Sequence, residues 1–171
     1  MRQIKFRAWD NRRKEMCYDV DVYCDERANH KNWWAGQWYF PNGEKAEFFD
    51  DNGRGNVLMQ FTGLKDQEGN EIWEGDILAC IEPEEPGKQS YFGRMVVKFG
   101  EYQTFEIEAG DESVGWYVDG YYGYLRQDGR RDTYHTSKEH PESLLYCTSK
   151  DKYDQKWEVV GNVYENPELL K

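Results

Sequence analysis

The sequence is poor in the features that announce chemistry. It has no C-x-x-C pair, no G-x-S-x-G elbow and no complete glycine-rich phosphate loop. A zinc site wants two thiolates offered from one tight turn, whereas Cys17, Cys24 and His30 are strung widely along the chain and Cys17 and Cys24 fall on opposite sides of any regular strand. Gly53-Arg54-Gly55 lacks the third glycine and the Lys-Ser/Thr ending of a phosphate loop. Asp66-Gln67-Glu68-Gly69 lacks the alternating ligands of a calcium loop and is read as a hairpin turn. There is no Asn-x-Ser/Thr acceptor and no apolar run long enough to cross a membrane. No apolar signal core follows Met1, and Cys17, Cys24, Cys80 and Cys147 are not closely paired. The expected setting is therefore the reducing cytoplasm, with no membrane and no cofactor or metal.

What is present is charge and aromatic surface. The 171 residues carry 22 basic and 33 acidic side chains, a formal charge of -11, which favours solubility and repels polyanions. The sign is uneven: Met1 to Lys14 holds six basic residues and one acid, +5, leaving -16 for the rest. Aromatic residues make up 16% of a chain whose mean hydropathy is -1.03. Rings among polar residues suit a pleated, half-buried surface and so point to sheet.

Period-two alternation predicts the strands. Ile4, Phe6 and Ala8 alternate with Lys5, Arg7 and Trp9, Asp10 to Lys14 reads as a turn, and Met16 to Tyr23 as the returning strand. Trp33, Trp34, Trp38, Tyr39 and Phe40 are expected to close over the core from an irregular segment between Asp25 and Arg54. Val57 to Phe61 and Ile77 to Ile81 read as strands on either side of the Lys65 to Asn70 reversal, with Gly75 at a sharp entry to the second. Glu82 to Gly87 reads as an exposed loop. Met95, Val97 and Phe99 predict a strand, Gly100-Glu101-Tyr102 a turn, and Phe105, Ile107 and Ala109 its partner. Val114, Trp116 and Val118 repeat the pattern, and Asp119 to Asp132 reads as an exposed hairpin or loop. Pro141 to Tyr146 reads as one helical turn, Trp157 to Tyr164 as a strand, and Asn166-Pro167 as the start of a last helical turn. The expected fold is mainly β, with small twisted antiparallel sheets, an SH3-like or similar partly open barrel and one or two short helical turns.

Three stretches taken together resemble the YopX protein family of bacteriophages and prophages. They are Ile4-Lys5-Phe6-Arg7-Ala8-Trp9-Asp10; Leu58 to Asp66 (Leu-Met-Gln-Phe-Thr-Gly-Leu-Lys-Asp) with Glu71-Ile72-Trp73-Glu74-Gly75-Asp76-Ile77; and Val159-Val160-Gly161-Asn162-Val163-Tyr164-Glu165-Asn166-Pro167-Glu168-Leu169-Leu170. The resemblance implies one such domain over residues 1–171, a β-rich fold with a small barrel, and a phage-derived protein working in the cytoplasm of a bacterial host. It implies no activity and no functional residue. Segments 25–54 and 82–156 look long for the family and are expected to hold insertions or elaborated hairpins.

The candidate binding residues are Trp116, Tyr121, Tyr122 and Tyr124, rings punctuated by glycine that could anchor a protein partner or stack bases. The favoured reading is a non-enzymatic accessory protein that binds a host or phage protein. Its rival is a small nucleic-acid-binding barrel using Lys5, Arg7 and Arg126 with Tyr121 and Tyr124. A third is carboxylate chemistry at Glu71, Glu74 and Asp76. His135 and His140, with Glu139 and Glu142, are read as surface residues, and self-association is open because strand edges and surface rings favour pairing.

Overall fold

Strand formation follows the alternation, and the chain divides into two compact units, Met1–Gly63 and Leu64–Lys171. The computed structural model describes residues 4–18, 20–25, 32–36, 57–81, 90–103, 112–125, 130–136, 142–143 and 157–171. Trp38, Tyr39, Phe40, Gly53 to Gly55, Glu82 to Gly87, Phe105, Ile107, Ala109, His30, Arg126, Glu139, His140 and Cys147 lie outside the described residues, as do the side chains of Cys24, Trp33, Trp34 and Glu142. The fold is mainly β, built on a curled antiparallel half-barrel sheet and a second sheet, as the sequence pattern predicts.

In the first unit, β1 (Phe6–Asp10) lies between β2 (Glu15–Cys17) and β5 (Val57–Lys65), antiparallel to both. β3 (Asp21–Asp25) pairs with β4 (Asn32–Gly36) as a separate ribbon. The alternation at the start of the chain reads as a strand with one apolar face, and the structure covers the other face as well. Arg7 and Trp9 are each 5% exposed and Ala8 is fully buried, so β1 is covered on both faces. Arg7 faces its cross-strand partner Met59, with Nη2 3.9 Å from Sδ.

In the second unit, the last residues of β5 lead into the Asp66–Asn70 reversal and on to β6 (Glu71–Trp73). Asp66 closes this turn by accepting the backbone N–H groups of Glu68 and Asn70, at 3.0 and 2.8 Å. The main sheet follows in the order β10 (Arg131–Thr136), β9 (Glu112–Leu125), β8 (Ser90–Gln103), β7 (Asp76–Ile81) and β12 (Trp157–Asn162), with β11 (Glu142–Ser143) also on β9. Its core is Ile72, Leu78, Met95, Val97, Val118 and Trp157. Burying such side chains contributes roughly 1.5–3 kcal/mol each. Two expectations are corrected here. Gly100 to Tyr102 is not a turn, because β8 runs through it to Gln103, opposite Glu112. Glu142 and Ser143 pair with Val118 and Tyr117 and are not helical. Of the two readings of Asp119 to Asp132, hairpin or loop, the hairpin is found: β9 is regular strand as far as Leu125 and pairs antiparallel with β10.

A buried polar knot joins three parts of this unit. Gly75, at φ 78°, makes the sharp entry to β7, a left-handed conformation that suits glycine. Its N–H donates to Val97 O and its carbonyl accepts from Val163 N, at 2.8 and 2.9 Å. Asp76, 1% exposed, accepts the Trp73 N–H at 2.8 Å through Oδ2 and the Asn162 carboxamide at 3.3 Å through Oδ1. Asn162 in turn accepts the Tyr164 N–H at 3.0 Å, and its own N–H reaches Asn166 Oδ1 at 3.3 Å. From there Pro167–Leu170 forms the expected helical turn, of 3-10 type.

Asp76→Asn replaces an acceptor with a donor that must face another donor, whichever way the amide is turned. Leaving buried groups unpaired costs about 1–3 kcal/mol, and urea denaturation is expected to show a loss of this size with an unchanged m-value. Wild-type stability in the variant would mean that the knot contributes little.

Candidate functional site

The register of β9 sorts the candidate rings onto two faces. Successive strand residues point to opposite sides of a sheet, and β9 pairs without a shift to β8 over 14 residue pairs and to β10 over six. Trp116, Tyr122 and Tyr124 therefore share the face of Val118, which is the core face. Tyr121 lies on the other. The structure brings three of the four candidates together and separates the fourth.

On the shared face the rings form a row. Trp116 packs against the core and meets Phe99 edge-on, with centroids 4.9 Å apart. Its indole Nε1 is buried without a hydrogen-bond partner among the described residues. Tyr122 also packs against the core and stacks on Tyr134, its cross-strand partner, at 5.4 Å and 26°. Tyr124 leans on Tyr134 at 6.3 Å, opposite Asp132. Phe99, Val114 and Tyr134 are 50%, 66% and 46% exposed, so the row is open to solvent at both ends. Counted along β9 from Val114 to Tyr124, at about 3.4 Å per residue, it is roughly 34 Å long.

Hydrogen bonding with Tyr134, then with Asp132, pushes the Tyr124 phenol up to about 12. Its proton is therefore held through the ordinary range of pH. Tyr134 and Asp132 escape notice in the sequence because the reading of the segment before them, as an exposed hairpin or loop, ends at Asp132 without a returning strand. The signal is the alternation of Asp132, Tyr134 and Thr136 beside Tyr122 and Tyr124, which emerges once β9 is extended to Leu125.

On the other face, Tyr121 stands 6.5 Å from the ring of His135, which is exposed. The cations here have partners. Arg94 donates to the carbonyl of Leu169, Lys98 pairs with Asp119, and the Arg131 guanidinium lies 5.4 Å from the Phe92 ring centre. In the first unit, the Lys5 ammonium is 5.3 Å from the Phe61 ring centre and Arg7 is buried.

Of the three carboxylates considered for catalysis, Asp76 is part of the buried knot, with both oxygens accepting bonds. Glu71 and Glu74 are half-buried. Burial, joined by the charge of Glu74, raises the Tyr164 phenol above its ordinary value. Burial, then Asp10 and Glu15, pushes the Cys17 thiol up to about 11 against the opposing effect of Arg13, which leaves it protonated and a poor nucleophile or ligand. No group of three metal-ligating side chains occurs among the described residues.

Tyr124 gives a direct readout of the row. A folded-state value raised above the ordinary 10 means that its contribution to stability is complete below pH 10 and is lost as pH rises towards 12. Spectrophotometric titration is expected to show one tyrosine ionising near the upper value, and Asp132→Asn to bring that midpoint down. An unchanged midpoint in the variant would contradict this geometry.

Comparison with known proteins gives a family and a fold. The crystal structure of protein EF1440 from Enterococcus faecalis superposes with a TM-score of 0.52 at 24% identity, covering 100% of both chains. No curated protein matches. The family model described as YopX protein matches residues 5–171, taking in all of the three sequence stretches set out above except Ile4. The chain belongs to the YopX protein family.

Proposed function

We propose that the protein is a phage- or prophage-encoded accessory factor that carries out no chemistry of its own and works in the host cytoplasm by docking a protein onto the aromatic row of β8, β9 and β10. The observation that carries this reading is the placement of Phe99, Val114, Trp116, Tyr122, Tyr124 and Tyr134 on one sheet face, part buried and part exposed. Rings already packed against one another lose little conformational freedom on binding, which is the property of interface anchors. No helix among the described residues is long and apolar enough to cross a membrane.

The same geometry suits bases less well. Tyr122 and Tyr134 each give one ring face to the other. Tyr121 and Tyr124, paired in the nucleic-acid alternative, lie on opposite faces of β9. Of the cations in that alternative Arg7 is buried and Arg126 lies outside the described residues, and base stacking without neighbouring cations has little affinity for a polyanion.

Tagged protein recovered from nuclease-treated lysate of phage-carrying bacteria is expected to bring down one host or phage protein near stoichiometrically. Tyr134→Ala, on the exposed edge strand, is expected to weaken the purified complex by about 2 kcal/mol, roughly 30-fold, while leaving the melting temperature close to wild type. Equal affinity in the variant would remove the row as the docking face. Recovery of the bait alone, with nucleic acid only in untreated lysate, would favour the nucleic-acid reading instead.

A further inference from the structure

The strongest local concentration of positive charge among the described residues is the turn between β1 and β2. Arg12, Arg13 and Lys14 follow one another there, all exposed, in a chain whose net charge is -11. The turn is rigidly built. Asp10, 5% exposed, accepts the N–H groups of Arg12 and Arg13 on a single carboxylate oxygen, at 2.8 and 3.0 Å, and its carbonyl accepts the Lys14 N–H at 2.8 Å. Lys14 sits at φ 59° and is the one described residue other than glycine with positive φ. Glycine or asparagine is the usual occupant of such a position. A lysine there is conformationally unfavourable, and the strain points to a use for its ammonium.

We propose that the Asn11–Lys14 turn contacts the sugar-phosphate backbone of a nucleic acid, by charge and without reading bases. The ligand must be extended. The backbone N–H groups that could cradle a single phosphate are committed to Asp10, whose own charge repels a small anion at the base of the turn, and Glu15 stands at its foot opposite Asp10. Only the tips of the long side chains project far enough to meet an anion, and they suit a row of fully ionised phosphates. An anionic membrane fits less well, because the turn offers Asn11 and no apolar residue to insert, while Trp9 is buried. An acidic protein surface fits less well too, since the tip has no apolar centre around which an interface could form. Beyond Lys14 the chain carries -16, a balance that disfavours contact with a polyanion there. The proposal is independent of the aromatic row, which lies on other strands.

The test is fluorescence anisotropy of a short labelled DNA duplex with the full chain, titrated with salt. Each phosphate neutralised contributes about 0.9 to the slope of log affinity against log salt, so the expected slope is roughly -2 to -3. Lys14→Gly removes one cation while placing glycine at φ 59°. It is expected to flatten the slope by about one and to weaken binding at low salt, with a melting temperature equal to or above wild type, and Lys14→Arg is expected to bind as wild type does. No binding at low ionic strength, an unchanged slope in Lys14→Gly, or equal binding to phosphatidylserine vesicles or polyglutamate would each overturn the proposal.

Discussion

A buried carboxylate organises the second unit. Asp76 accepts the Trp73 backbone N–H and the Asn162 carboxamide, oriented dipoles that meet its charge in a setting where an unpaired group would be costly. The donors come from chain positions far apart: Trp73 precedes β7 and Asn162 ends β12. Each group has a single geometry in which it is satisfied, and that geometry also fixes the sharp entry at Gly75 and the exit at Tyr164. Apolar burial supplies most of the stabilisation, and the polar knot sets the positions in which it is gained. It gives the family stretches a physical meaning, since Trp73-Glu74-Gly75-Asp76 and Gly161-Asn162 through Asn166 meet there.

With β7 and β12 placed, β8 and β9 run long beside them. β7 pairs with β8 only between Phe92 and Val96, whereas β8 and β9 stay paired out to Gln103 and Glu112. The ribbon therefore carries a core-facing row of side chains past the core. Phe99 and Val114 are exposed for that reason, and Trp116 sits where burial gives way to solvent. The aromatic row is thus an extension of the packing that builds the unit. On the opposite face the ion pair of Lys98 and the carbonyl contact of Arg94 tie down cations that would otherwise be free for an anionic ligand.

Much of this was legible where turn chemistry and alternation agree. The Asp66–Asn70 reversal, the glycine entry at Gly75, the strands at 57–61 and 77–81 and the helical turn opened by Pro167 follow from residues whose local preferences match the fold. Glycine misled the reading of the longest strands. At Gly100 the backbone is near extended, and at Gly120 and Gly123 the residue is needed for close approach: a Cβ would lie 2.2 Å from Arg94 O and 2.0 Å from Asp132 O. Glycine that punctuates a loop and glycine that lets a sheet curl tightly look alike in a sequence. Arg7 misled in a similar way, because alternation shows which residues share a face and not whether that face is covered. The four candidate rings, Trp116, Tyr121, Tyr122 and Tyr124, stand out by composition. Their division between faces needed the register, and Tyr134 needed the true length of β9.

The account rests on the Asp76 knot opening only with the whole unit, and native-state hydrogen exchange measures that directly. The amides of Trp73 and Val163 are expected to exchange as slowly as those of Leu78 and Val97, through global unfolding alone. Exchange at Trp73 and Val163 near the rate of an unprotected amide, with Leu78 still protected, would show a knot that frays separately and would contradict the account.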